Sequence, residues 1–184
     1  MTSSKNFTII TACALAYFLT FQVNTYLFSA FEYTQEVNWV FLPSGLRLIL
    51  ILLFFEWGAI GIGIASMAIC YFNQIEGDMV TIIGASFISG FAPYLARLVC
   101  IDRLKLDVNL NNLTPATLFK ASAVFALLSP VLHQLWFAWR NPATDFIQST
   151  TIMAVGDLVG TMILLYAAKL LLSLFSPAIS NKPS

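Results

Sequence analysis

Arg47, His133 and Asp157 each stand inside a long apolar run. An ionisable side chain in such a run is costly unless it is paired or reaches water, which makes each one a candidate for function. A guanidinium can grip a carboxylate or phosphate through two parallel hydrogen bonds. Lys169 also lies in an apolar run, but near its end, where a long side chain reaches the interface. At about 1.5 Å per residue, Arg47 and His133 sit about a turn from one end of their runs and Asp157 about three turns in. These depths put all three in the same half of a membrane. Two arrangements follow. Arg47, His133, Asp157, Asn24 and Trp136 line a pocket that opens outward and takes a small anionic ligand. Alternatively, Arg47 and Asp157 form an internal ion pair that fixes helix register and binds nothing.

The elements that position these residues are membrane helices. Of the 184 residues, 59% are hydrophobic and 10% charged, against about 45–50% and about 25% in soluble domains. A soluble fold of this size cannot hide that much apolar surface, so the lipid bilayer is the expected surroundings. Six apolar segments can be drawn, at residues 8–30, 41–55, 57–73, 79–99, 115–138 and 146–175, and compared with the roughly 20 residues that span a bilayer. They predict an all-α, polytopic transmembrane helical bundle of about six spans in a single domain. The second and third are separated only by Glu56-Trp57-Gly58. Their merger into one span, giving five, is the main alternative. Asp78 is the expected cap of the fourth segment, and Thr114 with Pro115 opens the fifth. Short boxes near Cys13 resemble cleavage sites, but the apolar run continues past them, so the first segment is expected to be retained.

Lysine and arginine placement sets the orientation. With both termini cytoplasmic, Lys5, Arg97, Arg103, Lys105, Lys120 and Lys182 fall inside, and Glu32, Glu36, Glu76 and Asp78 fall outside. Arg140 is the one basic residue placed clearly outside. This is the pattern of a multi-pass protein of a bacterial-type inner membrane. Cys70 then lies near the outer face, with Cys13 and Cys100 near the inner face, so Cys70 cannot form a disulfide with either.

Small and polar residues recur at helical spacing. Ser122, Ala126, Ser129, His133, Trp136 and Arg140 share one stripe, and Thr150, Ala154, Asp157 and Thr161 share another. Such stripes face protein, since lipid offers polar atoms nothing. Gly156 and Gly160 form a small-xxx-small pattern that lets backbones approach closely. No catalytic motif, phosphate loop or metal-ligand spacing is present, so no enzymatic activity, catalytic residue, cofactor or metal is expected. Zero net charge gives no reason to expect nucleic acid. The tail after residue 175 is short and polar, and no stretch is long enough for a second domain.

The segment W-V-F-L-P-S-G-L-R-L at residues 39–48, followed by L-L-F-F-E-W-G-A-I-G-I, resembles the opening of the MASE1 family of integral membrane sensory domains. Gly156-Asp157-Leu158-Val159-Gly160 resembles the Gly-Asp-x-x-Gly stretch near that family's end. Pro43, Gly45, Asp157 and Gly160 are the matched positions; Arg47 lies just beyond the first motif and inherits no role. Family members have more spans and precede an output module. The resemblance therefore implies a stand-alone sensory or ligand-binding module that signals through a separate membrane or cytoplasmic partner. The overall architecture is also similar to a substrate-binding S component of an energy-coupling-factor transporter, in which small residues such as Ala12, Ala14 and Ala16 would dock a partner. A structural subunit of a larger membrane complex is the third reading.

Overall fold

The structure is a computed structural model that describes residues 2–34, 36–73, 77–141 and 145–175. Expectations that involve Glu76, Lys182 and the tail beyond residue 175 lie outside the described residues. Five helices carry the fold: α1 (Thr2–Phe28), α2 (Leu42–Phe72), α3 (Met79–Arg103), α4 (Pro115–Arg140) and α5 (Phe146–Phe175). All five are long and apolar enough to cross a membrane. The six separate segments expected from the sequence thus appear as five helices, because the second and third share α2.

Local chemistry sets the helix starts. The Asp78 carboxylate accepts from the Thr81 N–H at 2.8 Å, satisfying one of the free donors at the start of α3. The Thr114 hydroxyl does the same for Thr117 at 3.1 Å, with Pro115 at the first position of α4. Pro43 sits in the first turn of α2, where a missing N–H costs no helix bond.

Between α1 and α2 the chain makes a 3-10 turn and a small antiparallel hairpin, β1 (Glu32–Thr34) and β2 (Val37–Asn38). No strand was expected here. Glu36, at the hairpin's turn, takes a left-handed φ of 64°.

Helix α2 is bent back on itself at Phe55, where φ is 54° and ψ is −130°. A Cβ on Gly58 would lie 2.7 Å from the Leu50 carbonyl oxygen. In a continuous helix these residues would be about 12 Å apart along the axis. The two arms therefore run in opposite directions. Neighbouring contacts agree. The first arm runs alongside α5 in the same direction, with Phe41 near Gly160 and Gly45 near Leu164. The second runs with α1, with Gly61 against Cys13 and Asn73 bonded to Gln22. It runs against α3, pairing Gly63 with Ser86 and Ala59 with Gly90. The first arm is roughly 20 Å long at about 1.5 Å per residue.

Arg97 holds the bend. It is 3% exposed, its guanidinium lies 3.8 Å from the centre of the Phe55 ring, and its Nη2 donates to the Val108 carbonyl at 3.0 Å. A left-handed phenylalanine is strained by itself, and this stacking offsets part of that strain.

Gly58→Ala is expected to destabilise the protein by about 1–3 kcal/mol, because the new methyl meets backbone that cannot yield. Gly63→Ala, whose methyl would meet only the Ser86 carbonyl at 3.4 Å, should change the melting temperature far less. Thermal unfolding of both variants in lipid nanodiscs checks the contrast.

Candidate functional site

The two stretches that stand out in the sequence lie against each other. The Phe41 N–H donates to the Gly156 carbonyl at 3.1 Å. The Ser44 hydroxyl lies 2.7 Å from the Asp157 carbonyl and 3.1 Å from the Thr161 hydroxyl. A Cβ on Gly45 would be 2.9 Å from the Thr161 Cα, and Gly156 and Gly160 bear directly on the carbonyls of Asn38 and Phe41. The glycines are needed for this close backbone approach.

At this contact Arg47 reaches Asp157. The Nη2–Oδ1 distance is 3.4 Å, with the side chains 1% and 0% exposed. The guanidinium lies between the rings of Phe41 and Phe125, 5.4 and 5.2 Å from their centres. The pair is only partly satisfied: among the described residues, Arg47 Nε and Asp157 Oδ2 have no protein hydrogen-bond partner. Unmet bonding capacity on a buried ion pair is expensive, and a small shift of the neighbouring Ser129 hydroxyl or a bound water would meet it.

Beside the pair lies a cavity of about 30 Å³, lined in part by Tyr17, Glu36, Arg47, Ser66, Ser89 and His133. That is room for a water molecule among polar partners. A directed chain of hydrogen bonds borders it. His133 Nδ1 is 2.9 Å from the Ser129 carbonyl, which can only accept, so Nδ1 carries the hydrogen. In the neutral ring, Nε2 then accepts from Ser89 at 3.2 Å, and Ser66 donates to Ser89 at 3.1 Å.

Glu36 joins this cavity to a second one. It also lines a hollow of about 160 Å³ at the hairpin end of the bundle, together with Phe21, Asn24, Glu32, Asn38 and Asn73. Glu36 accepts from the Cys70 thiol at 3.9 Å. Burial pushes its carboxyl up to about 7; Arg47 favours the charged form and Glu32 opposes it.

The structure thus brings Arg47, Asp157 and His133 together. Asn24 lies one layer away: its carbonyl oxygen accepts the Leu42 N–H at 2.8 Å and it faces the larger hollow. Trp136 stands apart, donating to the Thr81 carbonyl at 3.1 Å and covering Gly84. Pro43 and Gly45 are buried where the first arm meets α5. Lys169 is exposed. Arg140 pairs with Asp78 across the α3 and α4 ends. Two residues carry more than the sequence suggested. Glu36 reads as an ordinary loop carboxylate, and nothing local shows that the hairpin tucks it inward. Arg97 continues the Ser86, Ser89, Gly90, Pro93 stripe of α3, and that spacing could have marked it as inward-facing.

A larger groove of about 410 Å³ runs between the second arm of α2 and α3, lined by apolar side chains such as Ile60, Ile64, Phe87 and Phe91. Neither Arg47 nor Asp157 lines it. No group of three or more histidine, cysteine or acidic residues that could hold a metal occurs among the described residues. No protein-family model matches the chain, and no curated protein or solved structure shows significant similarity to it.

The folded protein binds the Glu36 proton more tightly than the unfolded chain does. Stability is therefore highest below the ordinary glutamate range and falls as pH rises towards 7. Glu36→Gln mimics the protonated form. It is expected to raise the melting temperature at pH 8 and to leave it unchanged near pH 4. A difference that does not vary with pH would mean that folding leaves Glu36 unshifted, and a lowered melting temperature at pH 8 would mean that Arg47 holds it as an ordinary ion pair.

Proposed function

We propose that this protein is a MASE1-like sensory module of a bacterial-type inner membrane. It binds a small ligand from outside and signals through a separate protein partner. The observation that carries this reading is a partly satisfied buried charge pair placed where the first arm of α2 meets α5. The pair adjoins a small polar cavity, and Glu36 connects that cavity to a hollow at the hairpin end. A ligand there has a physical route to the helix contact, through the hairpin and Glu36.

The topology belongs to the same proposal. The two arms of α2 count as two crossings, giving six, with both termini cytoplasmic and the hairpin outside. The first arm falls short of the roughly 30 Å hydrocarbon thickness, so its bend lies within the membrane depth, screened by Arg97. The same hollow would serve a transporter's substrate-binding subunit, which is the second reading.

Placement of the α3–α4 loop tests the topology. In a chain with its three native cysteines replaced, Lys105→Cys should react with a membrane-impermeant maleimide only in inverted vesicles, and Tyr33→Cys only in intact cells. Five crossings would expose both from outside. A photo-crosslinker carried on Lys105→Cys should then give a discrete adduct with a partner in native membranes. A chain that forms no adduct and remains alone contradicts the signalling role.

A further inference from the structure

Charge is distributed unevenly around the hollow at the hairpin end. Its lining includes two carboxylates, Glu32 and Glu36, three carboxamides, Asn24, Asn38 and Asn73, and the aromatic Phe21, and among the described residues no lysine or arginine lines it. An anion entering here would meet like charge before it reached Arg47. A cation meets attraction from Glu32 and Glu36 and an aromatic side chain, Phe21, in the wall. The aromatic wall is fixed in place, with Phe21 packed edge-to-face on Phe41 at 6.0 Å between centres.

A second observation points to a ligand. Asn24 is 3% exposed and faces the hollow. Its carbonyl oxygen is engaged by the Leu42 N–H, which turns its amide group towards the space, where it has no hydrogen-bond partner among the described residues. The occupant therefore also carries an acceptor, such as a hydroxyl or carbonyl oxygen. A volume of about 160 Å³ suits a compact molecule.

We propose that this hollow binds a small organic ammonium compound bearing one oxygen acceptor. The ammonium group lies between the Glu32 and Glu36 carboxylates against the Phe21 ring, and the oxygen accepts from the Asn24 amide. This rests on the ligand-binding reading above and replaces an anion with a cation as its ligand. Binding draws Glu36 into the charged form and so away from its protonated state. The groups that face Glu36 are Arg47 on the first arm of α2, Cys70 on the second, Glu32 on β1, Tyr17 on α1 and His133 on α4. Of these, Arg47 is the cation that a second positive charge at Glu36 would disturb. The ligand thereby competes with Arg47 for Glu36 and shifts the balance of the Arg47–Asp157 contact.

The test is isothermal titration of the full chain in nanodiscs with choline, tetramethylammonium, acetate and inorganic phosphate. Choline is expected to bind saturably, at least tenfold more tightly at pH 8 than at pH 5. Tetramethylammonium, without the oxygen, should bind more weakly. Glu32→Gln and Asn24→Ala should each weaken choline at least tenfold. Glu36→Gln should also weaken it and remove the pH dependence while the protein stays folded, judged by its melting temperature. Saturable binding of acetate or phosphate, but not choline, overturns the ammonium assignment and leaves the ligand-binding reading standing. Binding of none of the four overturns the assignment. Choline binding that is equal in all three variants places it elsewhere and overturns the assignment too.

Discussion

A charge buried among hydrocarbon has nowhere to go. Arg47 is buried, with protein from α2, α4 and α5 against its guanidinium. Among the described residues, the carboxylate within ion-pair distance of it is Asp157, from 110 residues further along the chain. The contact between the first arm of α2 and α5 follows from that need. Glycines at positions 45, 156 and 160 let the backbones come close enough for the side chains to meet, and the Ser44 and Thr161 hydroxyls bond each other across the same contact. The aromatic rings of Phe41 and Phe125 shield the guanidinium from lipid while still interacting with its charge.

The same need leaves the pair incompletely satisfied. It is joined by one long contact, with Arg47 Nε and Asp157 Oδ2 unpartnered among the described residues, and in the proposed scheme it has a second arrangement. A ligand can shift such an equilibrium only by interacting differently with the two states. Glu36 provides that difference in the proposed scheme, because it borders both the hollow at the hairpin end and the cavity beside Arg47. The hydrogen-bonded row from Ser66 through Ser89 to His133 ties α2, α3 and α4 to the same cavity, which α1 also lines through Tyr17 and α5 through Met153.

Much of this was legible in the sequence, for identifiable reasons. The starts of α3, α4 and α5 fall where caps, proline and the onset of apolar residues put them. The polar stripes on α4 and α5 face inward because lipid rejects them. The reversal in α2 was visible as a break in the apolar run, but its position was not. The Glu56-Trp57-Gly58 break suggested the turn there, whereas the chain reverses at Phe55, a residue that local preference would never choose. Arg97, more than forty residues away in the chain, stacks on the Phe55 ring and stabilises it there. Glu36 was hidden for a similar reason. Its inward position depends on a hairpin that strand propensity does not announce, and on Cys70 arriving from the far end of α2. Trp136 shares a stripe with His133, yet the small Gly84 opposite draws its ring to α3 and away from the charges.

A double-substitution cycle on Arg47 and Asp157 tests the central claim most directly. Arg47→Met and Asp157→Leu, alone and together, would be compared by equilibrium unfolding in lipid. Each single change leaves one buried charge without its partner and is predicted to cost about 3–5 kcal/mol. The double change removes both charges and should recover most of that loss, giving a coupling well beyond the roughly 0.5 kcal/mol seen between independent sites. Additive losses would show that the two residues act separately. The charge pair would then not be what joins α2 to α5.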